Sequence, residues 1–101
     1  MKATVNGQVI AEAADAEIVS IEGNSYFPPD SLTPDVLTAS PTPYTCPWKG
    51  KAQYWDVATP DGRAADGAWS YPQPNASAQE RVGRDFSGYV AFDKSQVHVS
   101  A

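Results

Sequence analysis

The residues of this chain that are best suited to chemistry lie close together between Thr45 and Trp55. The only cysteine, Cys46, is followed three positions later by Lys49. A thiol reacts as its thiolate, and a neighbouring cation lowers the thiol pKa, so Cys46 and Lys49 are candidate catalytic residues of an enzyme. The alternative is that Cys46 is a small buried apolar residue with no part in catalysis. Both alternatives stay open.

Metal-binding and nucleotide-binding sites are not indicated. A structural zinc site takes a full set of Cys and His ligands, and the chain has one cysteine and one histidine, His98. In Cys46-Pro47-Trp48-Lys49, an ammonium stands where a zinc or redox motif would have its second thiol. The nearest carboxylate group, Asp56, Asp61 and Asp66, straddles a predicted hairpin turn, where solvated charge is ordinary. The glycines stand singly rather than in a phosphate-binding loop, so we expect neither a metal nor a cofactor.

Aromatic residues accompany Lys49 in the sequence and suggest a different kind of site. Trp48 and Tyr54 lie within the same segment, and Trp69 and Tyr71 lie on the next predicted strand. Aromatic walls with one cation suit a small anionic or planar ligand. The alternative is that the rings fill the core of a small β domain, with Lys49 covering its rim.

Length and composition indicate one globular domain, residues 1–101. The chain is 42% hydrophobic and 19% charged, as expected for a folded domain with one core. Its formal net charge is −5 and its basic residues are dispersed, which disfavours nucleic-acid binding. The N-terminus lacks the apolar region of a signal peptide, and no apolar stretch reaches the ~20 residues that span a bilayer. We therefore expect an acidic cytoplasmic protein with no nucleic-acid or membrane partner, in an oligomeric state that the sequence leaves open.

The nine prolines and seven glycines divide the chain into short elements, which favours strands and turns. Asn6-Gly7 predicts a hairpin between strands 3–5 and 8–11, because both residues tolerate a positive φ. Further strands are predicted at 17–22 and 25–27. Thr33 as a cap and Pro34 at the first helical position predict one or two helical turns within 30–40.

The second half of the chain predicts two more hairpins and a short helix. Thr59-Pro60-Asp61-Gly62 is a turn that joins strand 49–57 to strand 67–71. Asn75 is a plausible cap for a helix that ends at Gly83, and strands 88–92 and 96–100 are predicted to form the last hairpin. The resulting six to eight short strands predict an all-β, mainly antiparallel domain, a small barrel or sandwich with one or two short helical turns.

Four spaced motifs resemble the bacterial family called domain of unknown function 427. They are Glu22 with Tyr26-Phe27-Pro28, then Thr45-Cys46-Pro47-Trp48-Lys49-Gly50 with Ala52 and Tyr54, then Trp69-Ser70-Tyr71-Pro72 with Pro74, and finally Val90-Ala91-Phe92. The resemblance implies a compact antiparallel sheet, tent-like and similar to Mss4-like proteins. It carries no metal, because the paired cysteines of the zinc-binding relatives are absent here. Some members are labelled nucleotidyltransferase-like, a label that no residue of this chain supports.

Three functional hypotheses follow. The leading one is a small-ligand-binding domain whose cleft lies between strand 49–57 and strand 69–71, with Lys49 supplying charge. Its ligand-binding residues are predicted to be Glu22, Tyr26, Trp48, Lys49, Tyr54, Trp69 and Tyr71. The alternatives are an enzyme that uses Cys46 or Lys49, and a protein-interaction module that uses exposed aromatics or a free sheet edge.

Overall fold

The computed structural model describes residues 1–60 and 62–101, which form nine strands, one α-helix and two 3-10 turns. The strands are β1 Lys2–Val5, β2 Gln8–Glu12, β3 Val19–Ile21, β4 Asn24–Tyr26, β5 Leu37–Cys46, β6 Gly50–Thr59, β7 Gly62–Ser70, β8 Val90–Phe92 and β9 His98–Ser100. The helix α1 is Ala76–Val82, and the 3-10 turns are Asp15–Glu17 and Pro29–Ser31. Every strand pair is antiparallel, which confirms the predicted fold class.

The strands are divided among three sheets, and the described residues do not form the predicted closed barrel. The largest has the order β5-β6-β7-β8, and the two smaller ones have the orders β2-β1-β9 and β3-β4. The predicted turn between β6 and β7 is confirmed, with Thr59 paired to Gly62, although Asp61 lies outside the described residues. The hairpin at Asn6-Gly7 is also confirmed, and its two turn residues have φ values of 50° and 81°.

The predicted hairpin at the end of the chain is wrong. Strand β8 pairs with β7, whereas β9 pairs with β1 in another sheet. The intervening turn carries the chain from one sheet to the other and is held by Asp93, whose carbonyl accepts from the backbone N–H groups of Gln96 and Val97. The alternating apolar pattern of the two segments was correct, but alternation says nothing about which strand is the partner.

Of the helical turns predicted within 30–40, the structure forms only the end of the 3-10 turn Pro29–Ser31, and no helix begins within 33–40 among the described residues. Asp35 has a left-handed φ of 62°, which interrupts any helix, and β5 begins at Leu37. The Thr33 hydroxyl donates to the Val9 carbonyl on β2 instead of capping a helix. Residues 40–43 are part of β5, an edge strand of its sheet. Prolines at positions 41 and 43 have no N–H, which makes this edge a poor template for another chain.

Helix α1 is confirmed between the predicted ends. Gly83 adopts a left-handed φ of 84°, and its N–H donates to the Gln79 carbonyl. Asn75 precedes the helix, but its side chain does not cap it and instead donates to the Trp48 carbonyl. No helix among the described residues is long and apolar enough to cross a membrane.

The core consists of two clusters. The apolar cluster contains Ala3, Val5, Ile10, Ala11, Phe27, Val36, Val57, Ala64, Ala68, Val90, Phe92 and Val97. The aromatic cluster contains Val19, Ile21, Tyr26, Cys46, Ala52, Tyr71, Ala78, Phe86 and Ala91, with Trp48, Trp69, Val82 and Tyr89 packed against it. Residues of β8 alternate between the two, because successive side chains of a strand point to opposite faces.

Candidate functional site

A tight turn between β5 and β6 holds the central motif. Cys46 ends β5 and pairs with Gly50, the first residue of β6, so Lys49 lies in the turn and not on the strand as predicted. Gly50 has a φ of 113°, and a Cβ added there would lie 3.3 Å from Asn75 Oδ1. The backbone N–H of Asn75 donates to the Lys49 carbonyl at 2.9 Å, and its side-chain amide donates to the Trp48 carbonyl at 3.2 Å. The start of α1 thereby fixes the turn from outside.

Lys49 is buried, with 5% of its surface exposed, whereas Lys51 on the adjoining strand is exposed. Its Nζ lies 4.9 Å from the centre of the Trp48 ring and 5.2 Å from that of Tyr71, and it donates to a carboxylate oxygen of Glu22. Burial acts to lower the pKa of Lys49, but the hydrogen bond to Glu22 and nearby charges raise it above its usual value. Lys49 is therefore a protonated cation that is held between two aromatic rings.

Glu22 reaches Lys49 from the turn between β3 and β4. It has a left-handed φ of 54°, the conformation that Asn6 adopts in the first hairpin. Asn tolerates this region well, whereas for most other residues it costs on the order of 1 kcal/mol. The Glu22 side chain is 57% exposed, and its hydrogen bond from Lys49 holds the pKa of the carboxyl below its usual range. The position therefore places a carboxylate against Lys49 at some cost in backbone strain.

Cys46 is buried and not in a disulfide. Burial acts to raise the pKa of its thiol, but hydrogen bonds from the backbone N–H groups of Lys49 and Trp48, together with the Lys49 charge, lower it overall. The lowered pKa of the thiol favours the nucleophile alternative, while its 6% exposure favours the apolar one. The one histidine, His98, is on β9 in the sheet β2-β1-β9, whereas Cys46 ends β5 in the sheet β5-β6-β7-β8.

The predicted aromatic residues form one connected network with this turn. Trp69 Nε1 donates to the Tyr26 hydroxyl at 3.0 Å, and the Tyr54 ring lies 6.3 Å from that of Trp69. Phe86 joins the network edge-on, with ring centres 6.2 Å from Tyr26 and 6.4 Å from Tyr71. Of the seven residues predicted to bind ligand, Glu22, Trp48 and Tyr71 contact Lys49 directly. Among the described residues, Tyr26, Trp69 and Tyr54 are connected to it only through Phe86 and one another.

The two strands that were predicted to form the walls of a cleft, 49–57 and 69–71, do not enclose one. Tyr54 on β6 and Trp69 on β7 are direct partners in a sheet, so the two strands are hydrogen-bonded neighbours and not the walls of a cleft. The group around Lys49 is formed instead by the β5–β6 turn, the β3–β4 turn, Tyr71 directly after β7, and Arg81 in the last turn of α1. Tyr54 lies at its far end and is connected to it through Trp69.

Two residues that pack against the predicted site residues, Phe86 and Arg81, were not identified from the sequence. Phe86 is fully buried within an otherwise polar loop after α1, and its isolation among polar residues was the available signal. The Arg81 guanidinium lies 4.5 Å from the centre of the Trp48 ring. Arg81 is three positions after the buried Ala78, a spacing that places both on nearby faces of a helix.

A metal centre is not formed by the described residues, which contain no group of three His, Cys, Asp or Glu side chains that could hold an ion. Of the three aspartates weighed from the sequence, Asp61 lies outside the described residues. Asp66 accepts from the hydroxyls of Ser40 and Thr42, which hold the pKa of its carboxyl below its usual range. Asp56 accepts from the Asp66 backbone N–H at 2.9 Å.

Comparison with known proteins identifies the family. The family model described as "Domain of unknown function (DUF427)" matches residues 1–101, so the chain belongs to this family. The family description states no activity. No curated protein matches the chain.

Proposed function

We propose that this DUF427 domain binds a small anionic ligand with a planar group at the Lys49 site, which consists of Glu22, Trp48, Lys49, Tyr71 and Arg81. The observation that carries the proposal is a buried ammonium with a single hydrogen-bond acceptor. An ammonium has three donors, and the Glu22 carboxylate is the one acceptor of Lys49 Nζ among the described residues. A second acceptor at this position is therefore electrostatically favourable.

The position of Glu22 suggests how a ligand would reach Lys49. Its carboxylate is exposed and belongs to a two-residue turn, whereas the ammonium below it is almost fully buried. A ligand carboxylate or phosphate that displaces Glu22 would keep Lys49 paired and would release the glutamate to water. The buried ammonium keeps an anionic partner throughout the exchange, and the exposed glutamate regains its contact with water, so the exchange costs the protein little.

Arg81 and Trp48 supply the remaining features of the site. The Arg81 guanidinium stacks on the Trp48 ring, and both Arg81 and Lys49 carry positive charge opposite the single carboxylate of Glu22. Arg81, Lys49 and Glu22 together carry a net charge of +1, which favours binding of an anion. A planar group of the ligand would replace the guanidinium over the indole face.

Thermal stabilisation across a panel of metabolites and nucleotides tests the proposal, because a compound that binds only the native state raises its melting temperature. Lys49→Met keeps most of the side-chain volume and removes the charge, and Lys51→Met is the matched control at an exposed lysine. We expect anionic planar compounds to stabilise the wild type and Lys51→Met but not Lys49→Met. Stabilisation of Lys49→Met equal to that of the wild type would contradict the role of Lys49.

A second function, in another class, is supported by the lowered thiol pKa. In this proposal, the Cys46 thiolate adds to a carbonyl carbon of a substrate, and the π electrons of the carbonyl move to its oxygen as the S–C bond forms. The backbone N–H groups of Trp48 and Lys49 stabilise the thiolate beforehand. Alkylation of Cys46 by iodoacetamide, followed by mass spectrometry against pH, measures this directly. An enzyme requires alkylation of the folded protein with an apparent pKa below that of a free thiol. Protection of Cys46 until the protein unfolds would identify it as a structural residue.

A further inference from the structure

A cavity of about 490 Å³ lies beside the apolar cluster. Val36 and Val90 of that cluster line it, as do Leu37 and Trp55, which pack against the cluster. None of the residues described as lining it belongs to the aromatic cluster or to the Lys49 site. Its volume falls in the range of roughly 300–1,000 Å³ that is usual for small-molecule sites.

We propose that this cavity binds an uncharged planar aromatic carbonyl compound, with its ring against Trp55 and its oxygen at the Ser70 hydroxyl. The cavity is separate from the Lys49 site and takes an uncharged ligand, whereas the Lys49 site takes an anionic one.

The walls of the cavity show why an apolar ligand fits. Leu32, Leu37 and Trp55 are only partly buried, although each is large and apolar. A domain of 101 residues has little apolar surface to spare, and leaving these side chains open to a cavity forgoes stabilisation of about 25 cal/mol per Å². A bound aromatic ring would bury that surface.

Ser70 supplies a buried polar anchor. It lines the cavity, is 2% exposed, and its Oγ accepts a hydrogen bond from Trp55 Nε1 at 3.0 Å. A hydroxyl both donates and accepts, and among the described residues the Ser70 proton has no acceptor. Leaving a buried donor unused is unfavourable, so a ligand oxygen that accepts from Ser70 is favoured.

Asp35 sets the charge preference at the rim. It is the one charged residue among the described residues that line the cavity, and it is exposed. Its carboxylate repels an anion, and the apolar walls disfavour any charged group that must give up its water. Asp35 also adopts its left-handed φ at this rim, and such backbone strain is frequent beside binding sites.

Coumarin is a suitable probe, because it is neutral, planar and aromatic and carries a lactone carbonyl. Coumarin-3-carboxylate has the same rings and an added negative charge. In ¹⁵N-¹H correlation spectra, we expect coumarin to shift the Trp55 indole signal, assigned with Trp55→Phe, and the Ser70 amide signal. Coumarin-3-carboxylate should leave both signals in place.

Three variants sharpen the test. Ser70→Ala should weaken coumarin binding roughly fivefold to tenfold through the lost hydrogen bond, and Ser20→Ala, at an exposed serine of β3, should leave it unchanged. Leu37→Phe fills the cavity with its own ring and should abolish the shifts while the spectrum stays dispersed. The proposal is overturned if coumarin leaves the Trp55 signal unmoved, if both compounds shift it equally, or if folded Leu37→Phe binds coumarin as the wild type does.

Discussion

The two clusters of the core lie on opposite sides of the same strands and are built from different side chains. Tyr26 belongs to the aromatic cluster, and the next residue, Phe27, belongs to the apolar one. Along β8, Ala91 faces the aromatic cluster, whereas Val90 and Phe92 face the apolar cluster. The period of two along a strand thus divides one core into two chemical environments.

The two clusters differ in the polarity of their side chains and therefore in what stabilises them. The apolar cluster contains only aliphatic and phenylalanine side chains among the described residues, so its stability depends on volume and packing. The aromatic cluster includes Tyr26, Cys46 and Tyr71 and lies against Lys49, and each of these polar groups needs a partner. Burial raises the pKa of the Tyr71 hydroxyl, which keeps it neutral. The reactive groups are therefore concentrated on one side of the sheet.

The largest effect is expected from Phe27→Ala. Phe27 is fully buried and packs edge-on against Phe92 at 5.6 Å between ring centres. Its loss leaves a cavity, and we expect the free energy of unfolding to fall by about 3–5 kcal/mol, equally at all pH values where the protein is folded. Urea denaturation followed by circular dichroism measures this. A loss under about 1 kcal/mol would show that the apolar cluster tolerates empty space.

A smaller and different effect is expected from Tyr26→Phe. The substitution keeps the ring but removes the acceptor of Trp69 Nε1, so an indole N–H becomes unpaired. We expect a loss of about 1–2 kcal/mol, which urea denaturation also measures. Tyr89→Phe is the control, since Tyr89 packs against the same cluster and its hydroxyl has no described hydrogen-bond partner. Equal effects at positions 26 and 89 would mean that the bond to Trp69 adds nothing.

The smallest effect concerns the ion pair at the edge of the aromatic cluster. The pKa of Glu22 is lower in the folded state than in the unfolded state. The ionised Glu22 therefore adds to the free energy of unfolding above the unfolded-state pKa, and this contribution is lost as pH falls through the folded-state pKa. Because Glu22 is largely exposed, we expect Glu22→Gln to cost only about 0.5 kcal/mol at neutral pH. The difference from the wild type should shrink as pH falls below the unfolded-state pKa and should vanish below the lowered folded-state pKa. A difference that shows no pH dependence at any acidic pH where the protein stays folded would rule out the charge as its cause.

Most of the local structure was predictable, while the arrangement of the strands was not, and the ligand-binding role of the predicted site residues stays a prediction. Asn6-Gly7 and Gly83 were correctly predicted to end their elements, because their backbone preferences are intrinsic to the residues. The helix expected after Thr33 failed, since its hydroxyl bonds to β2, a segment more than twenty residues away in sequence. Phe86 and Arg81 were missed for the same reason, as their partners come from other parts of the chain.

The sequence by itself determined the all-β class and the short elements between its prolines and glycines, and it named three of the residues that contact Lys49, namely Glu22, Trp48 and Tyr71. The class and the elements follow from side-chain alternation and from the φ preferences of single residues, which act over a few positions. The tertiary structure decided that β8 and β9 pair in different sheets, that Lys49 is buried beneath Glu22, and that a separate cavity opens beside Trp55. Each of these depends on contacts between residues far apart in the chain, whose free energy is gained only when the whole fold brings them together.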